Sequence, residues 1–158
     1  MNKKKIIIGS FTVAVILLGI IINTVFLFNP FTFKKEKAVY LPFTWYRKPI
    51  TFLVSVNGTT KELYMMDENA KFIYKELNKT EVLGSLFDSK LRLQYNIEEK
   101  GQLNIQSYKN GIVTKIRWYG ENSDVCSTTG DFGYEAIVKM TPELKEYLNN
   151  LFVNQENN

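Results

Sequence analysis

The chain has 158 residues, a net charge of +4, one cysteine and no histidine. That length suits one domain of ordinary size. The absence of histidine removes Ser–His and Cys–His catalytic pairs and histidine metal sites, and a lone cysteine cannot close an internal disulfide.

The charge is not spread evenly. Residues 1–37 carry +5 and residues 38–158 carry −1. The basic excess therefore flanks an apolar run, and a nucleic-acid partner is not expected. The strong preference for lysine over arginine, 17 to 3, fits the coding habits of an AT-rich, bacterial genome.

After the basic tail 1–5 ("MNKKK"), residues 6–28 contain no charged side chain. Crossing a bilayer core takes about 20 mostly apolar residues, whereas the apolar part of a cleaved signal runs about 7–15. No small-x-small cleavage pattern closes this run, so a retained transmembrane helix is expected. Lys3, Lys4 and Lys5 before it match Lys34, Lys35 and Lys37 after it. The positive-inside rule thus gives no orientation. Keeping the short charged tail inside places the following domain outside the cytoplasm; a domain facing the cytoplasm is the alternative. Residues 29–49, with three prolines and no sustained period, read as a juxtamembrane linker whose aromatic and lysine residues suit the bilayer interface.

Residues 50–65 alternate about Asn57-Gly58, the dipeptide that a two-residue type I′ turn prefers. The predicted hairpin pairs Val56 with Thr59, Val54 with Lys61, Phe52 with Leu63 and Ile50 with Met65. Asp67 then caps a predicted helix whose Ala70, Ile73 and Leu77 share one face. "EVLGSLF", residues 81–87, fits either a short strand or an irregular segment.

Residues 91–119 read as a three-stranded meander. "LRLQYNI" (91–97) alternates apolar and polar residues, and so does "QLNIQSY" (102–108). A turn at Gly101 sets Ile97 opposite Leu103, and a turn at Asn110-Gly111 sets Leu103 opposite Trp118 and Ile105 opposite Ile116. "NSDVCSTTGDFGY" (122–134) reads as a loop around Cys126, "YEAIVKM" (134–140) as a further strand. Thr141 and Pro142 open a final helix with Leu144, Tyr147, Leu148 and Leu151 on one stripe. Residues 154–158 are expected to fray. The expected architecture is α+β: one transmembrane helix, then a two-layer domain over residues 50–153 in which two amphipathic helices cover antiparallel strands.

No catalytic motif, cofactor motif or metal-ligand spacing is present. Cys126 has no CxxC partner and no histidine base. Glu98, Glu99, Asp124 and Asp131 sit in predicted turns and loops, where acidic side chains are ordinarily solvated. "STTGD" has one glycine and lacks the lysine of a phosphate-binding loop. The polar face of the meander is more informative. It aligns Asn96, Asn104 and Arg117 in one row and Gln94, Gln106 and Lys115 in the next, with Arg92 and Tyr119 at its margins. Arg92, Gln94, Asn96, Asn104, Gln106, Arg117 and Tyr119 are therefore the candidate contacts for a peptide, a glycan or another envelope protein. The function expected is a membrane-anchored, non-enzymatic binding, sensing or regulatory module or an accessory subunit of a cell-envelope complex. The competing expectation is an envelope hydrolase or transferase using acidic residues or Cys126.

Overall fold

The computed structural model describes residues 3–29, 31, 48, 51–63, 67–97, 101–109, 112–129 and 135–156. Helix α1 (Lys3–Val25) precedes strands β1 (Thr51–Val56) and β2 (Thr59–Leu63) and helix α2 (Asp67–Lys79). Then come β3 (Glu81–Ser85), α3 (Ser89–Gln94), β4 (Leu103–Lys109), β5 (Ile112–Trp118), β6 (Val125–Thr129), β7 (Glu135–Lys139) and α4 (Pro142–Glu156). The class is α+β.

Among the described residues one helix, Ile7–Val25, is long and apolar enough to cross a membrane, and none of that stretch is buried. Ile8, Phe11, Ile16, Leu18 and Ile21 are each more than half exposed. The hydroxyls of Thr12 and Thr24 donate to the carbonyls of Ile8 and Ile20 one turn earlier, at 3.0 and 2.9 Å, so they need no outside partner. Just past this helix, Leu27 is buried in the same cluster as Ile73, Trp118 and Leu144, and Phe28 packs against it. The Lys48 amide donates to the Val25 carbonyl at 2.9 Å, bringing the chain back to the helix end.

The seven strands form one antiparallel sheet in the order β2-β1-β4-β5-β6-β7-β3. The β1–β2 hairpin has the register that its Asn-Gly turn dictates, with Val56 opposite Thr59, Val54 opposite Lys61 and Phe52 opposite Leu63. The pairing of Ile50 with Met65 lies outside the described residues. Asn57 and Gly58 both take positive φ, 47° and 86°, as a type I′ turn requires. Between β4 and β5 the expected register also forms: Leu103 faces Trp118, Ile105 faces Ile116, and Ser107 faces Thr114.

The first strand of the expected meander does not form. Residues 89–94 are helix α3, and β4 takes β1 as its second neighbour. Lys90 to Gln94 are all straight-chain residues that lose little freedom in a helix. Asp88 supplies the cap, accepting from the amides of Lys90 and Leu91 at 2.9 and 3.3 Å. The alternation of Leu91 and Leu93 imitated a strand, but Leu93 is 83 % exposed while Leu91 packs inward.

One ambiguous segment takes the strand alternative, and one segment differs from the expected layout. "EVLGS" is edge strand β3, irregular between Val82 and Gly84, and Cys126 lies within β6 rather than in a loop. Val125 to Thr129 are small or β-branched residues that fit a strand covered on both sides. Helix α4 extends past Val153 to Glu156.

Burial follows strand parity. One sheet face presents Val54, Ile105, Ile116, Trp118, Cys126 and Val138 to α2 and α4. Helix α2 contributes Ala70, Ile73, Tyr74 and Leu77, and α4 contributes Leu144 and Leu148, both fully buried. Thr141 joins the two helices: its hydroxyl caps α4 at the Leu144 amide (3.2 Å) and donates to the buried Glu76 carboxylate of α2 (2.7 Å). The opposite face carries a smaller cluster of Leu86, Ile97, Val125 and Ile137, with Leu83, Leu91, Tyr95 and Tyr119 packed against it.

Candidate functional site

The segment between β3 and β4 is shaped by its own hydrogen bonds. The Phe87 amide donates to Ser85 Oγ at 3.2 Å, and the Asp88 amide donates to the Ser85 carbonyl at 3.1 Å. This turn leads into the Asp88 cap and leaves Phe87 with 75 % of its surface exposed. At the other end of α3, Asn96 adopts the left-handed conformation, φ 49°. Its amide bonds the Leu93 carbonyl, and the Ile97 amide bonds the Arg92 carbonyl, the pairing of a Schellman stop. Gly84 sets how deep α3 sits, because a Cβ there would meet Leu91 Cδ1 at 2.6 Å. With Leu91 pressed against β3, its neighbour Arg92 is half-buried at the edge of the sheet face.

From the sheet, Arg117 lies opposite Asn104 on β4 and opposite Ser127 on β6. Tyr119, just past β5, is on the same face, and its hydroxyl shares a 2.6 Å hydrogen bond with the buried Ser127 Oγ. Burial raises the Tyr119 phenol above its usual value, opposed by the Ser127 bond and by the positive charges of Arg117 and Arg92. The phenol therefore stays neutral near neutral pH and can donate or accept. Glu135 on β7 is half-buried on this face, with the Thr129 hydroxyl 3.4 Å from its Oε1.

These groups meet in a cleft of about 330 Å³ lined by Leu86, Phe87, Arg92, Ile97, Arg117, Tyr119 and Glu135. Among the described residues its charged groups are two guanidinium ions and one carboxylate. Leu86 and Ile97 form an apolar floor, and exposed Phe87 forms the rim.

No protein-family model, curated protein or solved structure matches this chain. What the chain can do must be read from its own groups.

Of the seven candidates, Arg92, Arg117 and Tyr119 share the cleft. Asn104 and Gln106 are half-buried on β4, on the same face, with Gln106 paired to Lys115. Gln94 is exposed at the end of α3, and Asn96 serves as the helix stop. The predicted rows joining Asn96 to Asn104 and Gln94 to Gln106 do not exist, because 91–97 is not a strand. Ser55 and Leu53 of β1 occupy those neighbouring positions.

Cys126 is fully buried on the helix-covered face, and burial pushes its thiol up to about 12. A thiol buried in this way packs among the core residues Trp118 and Val138 rather than standing exposed as a thiolate. Asp124 is held by Lys145 at 2.7 Å. Glu98, Glu99 and Asp131 lie outside the described residues. Among the described residues no three acidic or cysteine side chains gather where a metal ion would need them.

Glu135 and Phe87 were missed by sequence reasoning. Glu135 shares strand parity with Ile137, which places both on one face, but that face counts as a cleft wall only once α3 is known to lie above it. Phe87 carried a fainter signal: an aromatic residue immediately before an Asp N-cap.

Proposed function

We propose that the protein is a membrane-anchored, non-enzymatic binding module that recognises an anionic ligand in the cleft between α3 and the sheet. The observation carrying this reading is the convergence of Arg92 of α3 with Arg117 and Tyr119 at the end of β5, beside an apolar floor. Clefts of about 300–1,000 Å³ with apolar walls and a few converging polar groups are the usual form of small-ligand sites. Guanidinium groups suit carboxylate and phosphate oxygens because their donors form a planar fork.

Anchoring is supported by α1, whose apolar side chains face outward and whose Thr12 and Thr24 hydroxyls are satisfied within the helix, as a lipid environment demands. Retention of that helix is supported by Leu27 and Phe28. They follow it directly and pack into the domain core, so cleavage near the end of the apolar run would detach core residues. In this reading the domain lies on the outer side of the membrane, where envelope peptides, glycans and proteins are the reachable partners. Confinement to the membrane surface raises the domain's effective concentration toward such partners.

The test uses the full chain in lipid nanodiscs, melted with and without panels of short peptides, acidic sugars and inorganic phosphate. At least one panel raises the melting temperature of the wild type, and the Arg92→Gln, Arg117→Gln double variant loses that shift while melting normally without ligand. If no panel stabilises the wild type, or the double variant responds equally, the cleft is not the binding site.

A further inference from the structure

We infer that the ligand is a peptide of about dipeptide size bearing a free carboxylate, a free amine and an apolar side chain. This rests on the reading of the cleft as a binding site and concerns which anion it takes. Among the described residues the lining groups fall into three chemical kinds. Arg92 and Arg117 are the cations, Glu135 is an anion on the same wall, and Leu86, Phe87 and Ile97 are apolar.

A phosphate monoester, at close to two negative charges near neutral pH, meets the arginines but also faces the Glu135 carboxylate, a like charge within one small space. A carboxylate carries less charge and matches the guanidinium fork equally well. Glu135 then becomes useful rather than repulsive when the ligand also brings an ammonium group. Both cations act on one region, since Arg92 and Arg117 each place positive charge on the Tyr119 phenol. Glu135 itself is steadied from below by the Thr129 hydroxyl.

The apolar component follows from Phe87. The residue is three-quarters exposed (75 %) although its amide and the turn beside it are tied by hydrogen bonds. A large apolar side chain held outward beside buried Leu86 and Ile97 gains burial when an apolar ligand group enters. The size of the cleft, about 330 Å³, is at the small end for ligand sites, which suits one or two residues rather than a long chain.

The chain contains three arginines, Arg47, Arg92 and Arg117, so the side-chain Nε–H signals of an arginine-labelled sample are few enough to assign singly. The full chain in nanodiscs is titrated with the dipeptide Ala-Leu, its C-terminal amide, its N-acetyl form and inorganic phosphate. Ala-Leu shifts the Arg92 and Arg117 signals, and the amide binds at least about tenfold more weakly because the charge-assisted bonds are lost. Acetylation weakens binding several-fold in the wild type, and the Glu135→Gln variant no longer distinguishes the two forms. If phosphate binds as tightly as Ala-Leu, or the amide binds as well as the acid, the peptide assignment is overturned and the cleft remains a binding site. If no probe moves either arginine signal, the binding reading falls with it.

Discussion

On one face of the sheet, Val54, Ile105, Ile116, Trp118 and Val138 meet helices of 13 and 15 residues. On the other, a helix of six residues covers only the part built from β6, β7 and β3. The β1–β4 half of that second face keeps Ser55, Asn104 and Gln106. The difference lies in how completely each face is closed. Two long amphipathic helices cover this face, and its inward Val54, Ile105, Ile116, Trp118, Cys126 and Val138 become core. A six-residue helix cannot reach across, so its edge leaves a step where half-buried charged groups, a hydroxyl and an apolar floor coexist. The cleft is that step.

The largest effect is expected on the closed face. Leu148→Ala removes a fully buried side chain and lowers unfolding stability by about 2–5 kcal/mol, read from urea melts. Comparable stability would mean that α4 does not seal the sheet. The same substitution leaves peptide binding at the cleft unchanged under conditions where the variant is folded.

A middle-sized effect is expected where the closed face contains a charge. Burial opposes ionisation of Glu76, but hydrogen bonds from Lys79 and Thr141 and the charges of Lys79 and Lys75 outweigh it and hold the carboxyl below its ordinary 4.5. A lowered folded-state value means the carboxylate stabilises the fold fully above the unfolded value. That contribution is lost as pH falls through 4.5 and on through the lower folded value. Glu76→Gln should therefore cost about 1–3 kcal/mol near neutral pH, the worth of bonds to a charged group. Its stability should also fall less steeply on acidification than the wild type's. Parallel acid profiles for the two proteins would remove Glu76 as the link between α2 and α4.

The smallest effect on stability, and the sharpest on the cleft, is expected at the α3 cap. Asp88→Ala removes the acceptor for the Lys90 and Leu91 amides and costs about 1 kcal/mol. Because the cap positions both Phe87 and Arg92, ligand-induced shifts of the Arg92 signal should weaken although the global melt barely moves. Equal loss in both readouts would mean that the two faces unfold as one and that α3 has no separate role.

Much of the closed face was legible from local pattern. Asn57-Gly58 set the β1–β2 register, Asn110-Gly111 marked the β4–β5 turn, and Ala70, Ile73, Leu77, Leu144 and Leu148 recurred at helical spacing. In each case the turn chemistry or period acts over a few neighbouring residues and agrees with the face that must be buried. The open face was not legible for the same reason reversed. "LRLQYNI" satisfies a strand period and a short helix equally, and its fate rests on the Asp88 cap, the Asn96 stop and the room above Gly84.

The apolar run of α1, the α+β class and the two-helix cover are consequences of composition and periodicity, which a chain carries in any conformation. Arg92, Arg117, Tyr119 and Glu135 become neighbours only through long-range pairing. The pairing of β3 with β7 at the far edge and the seating of Leu91 over Gly84 bring α3 across the sheet. Contacts between residues so distant in sequence depend on which strands become adjacent, and no local period encodes that choice.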